Sequence, residues 1–206
     1  LDAFRNPKVR TEPSESGLWL SFKGHLRFLK ETGFVDDEDH LTADGRWASN
    51  LRVDQPLLIA ESIRQGAFDG VPPEVFAGGL APFVWDRSQE VDLKGTAGMD
   101  LTPVEGLFRS MLDHLREFVV LKDSRGFKTP SISFWPAAIL FMWARGATWE
   151  TLLEVVSVGE GDLASLIMRT ADHLRQVAAL RETHPQLAAT AADGIALILR
   201  EPVYLF

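Results

Sequence analysis

The chain has 206 residues and no cysteine, which excludes disulfides and thiolate metal sites and permits a reducing cytoplasm, the compartment expected for it. Its longest apolar stretch, residues 132–144, falls well short of the roughly 20 residues that a membrane helix needs, so no membrane contact is expected. No positively charged start leads into an apolar segment and a small-residue cleavage site. Basic charge is scarce. Lys and Arg number 21 against 29 Asp and Glu, a net charge of −8. General nucleic-acid binding needs the opposite balance, because it rests on releasing counterions from phosphates with clustered cations. Any such contact must be local, and weak in the isolated domain.

Motifs that carry chemistry are equally sparse. Serine-nucleophile elbows, G-x-x-x-x-G-K-[ST] loops and G-x-G-x-x-G turns are absent, so the chain shows no catalytic constellation or nucleotide site of its own. His25, His40, His114, His173 and His184 lack the paired spacing that sets two imidazoles on one helix face. Asp37-Glu38-Asp39-His40 spells a D-E-x-H box, which binds magnesium and water where it ends a buried strand. No apolar strand precedes it here, and a solvated acidic loop is the expectation. No cofactor or metal is expected in this chain.

What is present is apolar residues at helical spacing. A composition 46% hydrophobic and 24% charged fits one large globular domain or two small ones. Over 16–32, Trp19, Phe22, Leu26 and Leu29 recur at three and four, with Gly33 as a stop. Residues 41–48 form a short capped helix. Asp54 is read as the cap of the next, which takes Pro56 in its first turn, carries Leu57, Leu58, Ile59 and Ile63, and stops at Gly66. Another opens at Pro72-Pro73 and runs to about residue 85. Residues 86–102, polar and without period, form the main internal loop and the expected sub-domain boundary. Residues 1–16, polar and proline-dotted, read as linker in a piece of a longer polypeptide, which leaves 17–206 as the helical domain.

Thr102-Pro103-Val104-Glu105 reads as a capping box that opens a helix of about five turns. Further helices are predicted over 135–145, over 149–156 with Thr148 as cap, over about 162–181, and over 185–200. Strict alternation is nowhere sustained. The class is all-α, a multi-helix bundle of roughly eight or nine helices, with the six tryptophans mostly in its core. The 149–156 helix, its turn and the 162–181 helix also mimic a helix-turn-helix. A DNA reader would offer Arg, Lys, Asn or Gln where the second helix offers Asp162-Leu163-Ala164-Ser165.

That second helix is amphipathic. Leu163, Leu166, Ile167, Thr170, Leu174, Val177 and Ala178 make its buried stripe, while Ser165, Arg169, Asp172 and Gln176 follow spacings of four, three and four on the other side. By periodicity alone this polar file is a solvated face, with Arg169 and Asp172 as a surface ion pair worth little.

Several ordered pieces then carry a resemblance. They are Leu29-Lys30-Glu31-Thr32-Gly33-Phe34 with Leu41-Thr42-Ala43-Asp44-Gly45-Arg46-Trp47-Ala48, Asp54-Gln55-Pro56-Leu57-Leu58-Ile59-Ala60-Glu61, and Ala81-Pro82-Phe83-Val84-Trp85. Next come Trp143-Ala144-Arg145-Gly146-Ala147-Thr148-Trp149, Glu160-Gly161-Asp162 and Arg169-Thr170-Ala171-Asp172-His173-Leu174-Arg175-Gln176. Ile198-Leu199-Arg200-Glu201-Pro202-Val203 closes the set. In this order they resemble the DSHCT domain, the C-terminal domain of DExH-box helicases of the Ski and Mtr type and their bacterial HelY-like relatives, over residues 18–203.

The resemblance implies a helical bundle packed on the motor domains of the same polypeptide. It also implies that the helix after Glu160-Gly161 is a long ratchet-like helix lying along single-stranded RNA or DNA. Arg169 and Asp172 fill the two places that touch bases in the family, with Gln176 and Ser165 as weaker neighbours. Where relatives often carry more basic residues, Ser165 and Met168 stand here, which implies a weaker grip or one shifted to Arg175. ATP and magnesium are expected in the motor domains of the parent chain, not here. The alternative reading is a helix-turn-helix-like DNA-binding or protein-interaction module without a motor.

Overall fold

The computed structural model describes residues 15–85 and 91–205. Within them the chain runs α1 (Glu15–Glu31), α2 (Ala43–Ala48), α3 (Pro56–Arg64), α4 (Pro73–Val84), α5 (Thr102–Ser124), α6 (Trp135–Ala144), α7 (Trp149–Val155), α8 (Glu160–Ala178) and α9 (Pro185–Ile198), then a 3₁₀ turn at Val203–Leu205. The described residues form an all-α bundle whose β pairing is confined to two isolated bridges, Val35 with Leu41 and Leu93 with Val156. The linker expected at 1–16 lies almost wholly outside the described residues, as does the first part of the 86–102 loop.

The bundle is built around α4 and α6. Every residue of α6 is buried, as is every residue of α4 from Val75 to Val84, the pattern of helices that are apolar all round and therefore interior. Around α4 pack α5, α6, α8 and α9. Gly78 permits the close approach of α6, since a Cβ there would lie 2.9 Å from the Ala137 carbonyl oxygen of that helix. One apolar cluster extends from Phe28 to Val203, on both sides of the 86–102 loop. The described end of that loop is tied to the bundle, because the Lys94 N–H donates to the Val155 carbonyl at 2.8 Å.

Two expected caps turn out differently. The N-cap of α3 is Gln55, left-handed at φ 50° and without a side-chain cap bond. Asp54, read as that cap, instead spends its carboxylate on α8. At α5, Thr102 is already helical, and its N–H donates to the Asp100 carboxylate at 2.9 Å. Asp100 thus performs the capping assigned to Thr102, and hydrogen bonds from the Thr102 side chain and N–H hold its pKa below the usual carboxylate range. Thr148 behaves as predicted, accepting from the Thr151 N–H at 3.2 Å.

Trp47, Trp85, Trp135, Trp143 and Trp149 are buried, whereas Trp19 is 56% exposed. The stripe on α1 therefore enters the core only in its second half. There Phe28 meets Phe118 and Phe127, and Arg125 donates to Glu31 at 2.7 Å.

The Thr42-x-x-Gly45 segment has a physical reading. The Thr42 hydroxyl donates to the Gly33 carbonyl at 2.8 Å and accepts from the Gly45 N–H at 3.1 Å. A Cβ on Gly45 would fall 1.9 Å from the Phe34 carbonyl oxygen, a distance no side chain survives. At the other end, the Arg200 guanidinium stacks 3.2 Å from the Trp143 ring centroid and donates to the Trp143 and Ala147 carbonyls. The Trp143 indole N–H donates to the Ile198 carbonyl at 2.7 Å, which latches the end of α9 onto α6.

Candidate nucleic-acid interface

Helix α8 packs on α4 and α9. Leu163, Ala164, Leu166, Ile167, Ala171, Leu174 and Val177 vanish into that contact, and Thr170 is buried with its hydroxyl donating to the Leu166 carbonyl at 2.8 Å. A narrow stripe stays open. Asp172 and Arg175 are exposed, while Ser165, Met168, Arg169 and Gln176 are half-buried. All five predicted contact residues therefore share one face, as the spacing of three and four requires.

The partners on that face differ from the expected Arg169–Asp172 pair. Arg169 donates to the Asp54 carboxylate at 2.8 Å, with the two side chains 37% and 43% exposed. Asp172 pairs with Arg175 three residues on, both more than half exposed. The re-pairing has a tertiary cause. The segment from α2 to α3 passes beside α8 and brings Asp54 within reach of Arg169, from 115 residues away in the chain.

His173 fixes that segment. Its ring is buried, its Nε2 accepts from the Asp54 N–H at 2.9 Å, and its Nδ1 lies 2.9 Å from the Arg169 carbonyl. Because Nε2 accepts, the proton of the neutral ring sits on Nδ1 and is donated to that carbonyl. Burial lowers the imidazole's pKa, against opposing contributions from the Arg169 carbonyl and the Asp54 carboxylate. One turn further, the Gln176 amide oxygen accepts from the Arg52 N–H at 3.4 Å.

Arg52, Asp54 and His173 were not singled out as site residues from the sequence. Asp54 matched a helix-cap pattern and His173 was one of five scattered histidines, and no local spacing links residues 119 apart.

The arrangement presents a guanidinium braced by a carboxylate, next to an exposed carboxylate–guanidinium pair. Such groups can stack on base faces, donate to phosphate oxygens or accept from base amino groups. The first turn of α8 carries Glu160 and Asp162, and Leu163 and Ala164 are buried. The turn that a major-groove reader would offer to base edges is acidic or covered. The Asp36–His40 segment is a tight surface turn, with the Asp36 carboxylate accepting from the Glu38 and His40 N–H groups and Lys30 bonded to Asp39 at 2.7 Å.

Comparison with known proteins adds a family and relatives. The family described as the DSHCT (NUC185) domain matches residues 38–205. The chain is 26% identical over 212 residues to the ATP-dependent RNA helicase mtr4 of Schizosaccharomyces pombe, covering 99% of this chain and 19% of that protein. It is 24% identical over 206 residues to the chloroplastic DExH-box ATP-dependent RNA helicase DExH15 of Arabidopsis thaliana, covering 94% of this chain and 17% of that one. It is 25% identical over 190 residues to the Exosome RNA helicase MTR4 of Homo sapiens, with 88% and 18% covered. The chain thus spans less than a fifth of the length of these relatives.

Proposed function

The chain belongs to the DSHCT family, and from that premise we propose that it is the accessory domain of an ATP-dependent DExH-box RNA helicase, packed on the motor domains and lining the path of a single strand with α8. The observation that carries the reading is the one open stripe on an otherwise buried helix, where Arg169, Asp172 and Arg175 cluster. RNA is proposed as the strand because the relatives named above are RNA helicases.

In this reading the motor domains bind ATP and magnesium and drive the strand, and α8 supplies contacts that are individually weak and sequence-tolerant. Among the described residues no group of three or more His, Asp or Glu is placed to hold a metal ion. This domain's part in the cycle is to hold and guide. The braced Arg169 keeps its guanidinium in one orientation as successive bases pass, and Gln176 and Ser165 flank it as lesser contacts. A net charge of −8 suits such a wall, since it grips only a strand that the motor holds against it and releases it at each step.

The test is unwinding of a tailed RNA duplex by the complete polypeptide carrying Arg169→Ala and Asp172→Ala. The expected result is slower unwinding at limiting substrate with the fold intact, because exposed pairs of this kind contribute about 0–1 kcal/mol. Unchanged unwinding would overturn the assignment of α8. A matched DNA duplex with the same tail distinguishes the substrate, and equal unwinding of both would overturn the preference for RNA.

A further inference from the structure

The segment between α2 and α3 is fastened to α8 at three points. Gln176 accepts from the Arg52 N–H, His173 accepts from the Asp54 N–H, and Arg169 donates to the Asp54 carboxylate. The α8 members fall four and three residues apart, one per turn along the edge of the open stripe. Residues 52–54 therefore run antiparallel to α8, with Asp54 beside Arg169 and Arg52 beside Gln176. The strand-facing surface has two walls, a helix and a loop.

Arg52 is held there through its backbone N–H, which leaves its side chain out of the fastening. That side chain is exposed. Other charged groups on α2, on α8 and in the segment between α2 and α3 are engaged: Arg175 is paired with Asp172, Arg46 donates to the Leu41 carbonyl at 3.0 Å, and Asp54 is taken by Arg169. A guanidinium with no carboxylate bonded to it among the described residues, held beside a binding stripe in an acidic chain, is suited to a phosphate oxygen, which it can meet through two parallel N–H donors.

Resting on the reading that α8 lies along RNA, we infer that Arg52 is a further RNA contact, a phosphate-binding arginine delivered from the α2–α3 segment to the strand near Gln176. It adds a backbone contact to the base contacts proposed for Arg169 and Asp172, and so fixes the strand's register without reading its sequence.

The experiment is equilibrium binding of a fluorescently labelled oligouridine strand to the complete polypeptide over a series of salt concentrations. Arg52→Ala is expected to weaken binding several-fold and to make the slope of log K against log salt shallower by about 0.7, the value of one single-strand phosphate contact. Arg52→Lys should keep most of the slope. Arg116→Ala, which removes the same charge from an exposed side chain on α5, should leave both affinity and slope unchanged. If Arg52→Ala behaves like Arg116→Ala while the Arg169/Asp172 double variant still weakens binding, the inference about Arg52 is overturned and the α8 reading stands. Weaker binding with an unchanged slope would also overturn it as a phosphate contact. If the double variant has no effect either, the α8 reading fails and takes this inference with it.

Discussion

Helix α8 buries Leu163, Leu166, Ile167, Leu174 and Val177, whereas α1, patterned with the same spacing of three and four, leaves Leu18, Trp19, Leu20 and Phe22 exposed in its first half. The difference lies in what stands opposite. Two helices cover α8, while α1 is held through its second half by Phe118, Phe127 and Arg125. Amphipathic spacing reports that a helix has an apolar face, and the covering of that face belongs to the rest of the fold. The stability of the two helices should therefore diverge under the same kind of substitution.

Leu174→Ala on α8 should have the largest effect. Its side chain is fully buried and sits within 3.5 Å of where a Cβ on Gly194 of α9 would be, so truncation leaves a cavity costing about 2–5 kcal/mol. Denaturant unfolding of the purified domain measures it, and a loss below 1 kcal/mol, roughly the scale of a surface change, would mean that the α8–α9 contact is not part of the cooperative core. Next comes Gly45→Ala at the docking of α2 on the end of α1. A methyl group aimed at the Phe34 carbonyl forces backbone to move, an overpacking cost of about 1–3 kcal/mol. A neutral outcome in the same unfolding measurement would show that α2 can shift freely.

A smaller effect should come from pH. Burial holds the folded pKa of His173 below its ordinary 6.5, so as pH falls the unfolded chain takes up that proton before the folded one. Stability from this group is complete above about 6.5 and declines as pH drops through the folded pKa. His184 is shifted in the same direction, also by burial, so a His173→Gln variant isolates the contribution. It should flatten the acid limb of a stability-versus-pH curve recorded by thermal unfolding, and an unaltered limb would assign the effect elsewhere. Smallest of all, Trp19→Ala should change stability by no more than about 0.5 kcal/mol. A loss matching Leu174→Ala would mean that the first half of α1 is covered after all, and the contrast with α8 would collapse.

Most helices are legible locally, and the reasons are local. Gly33 and Gly66 end α1 and α3 with positive φ, Pro73 and Pro185 stand in first turns, and Thr148 caps α7. The two misread caps lost to other partners, one distant in the chain and one two residues away. Asp54 and Thr102 have residue types that cap helices, yet Asp54 finds a better partner in Arg169, and Asp100 performs the capping that Thr102 was expected to do. Five tryptophans fell into the core by pattern, and Trp19 did not, because a stripe does not reveal where its cover ends. The polar file on α8 was legible as a file. That Arg169 is braced by Asp54, that Asp172 turns to Arg175, and that Arg52 stands beside Gln176 was not.

By itself the sequence determined the all-α class, most helix limits, the buried stripe of α8 and the absence of phosphate-loop and nucleophile-elbow motifs, because each depends on residues within a few turns of one another. Only the tertiary structure decided which apolar faces are covered, which charges pair, and that a segment near residue 53 forms the second wall of the α8 surface. The placing of that segment and the pairing of Asp54 with Arg169 rest on contacts between residues more than 100 positions apart, and helical periodicity holds no information at that range.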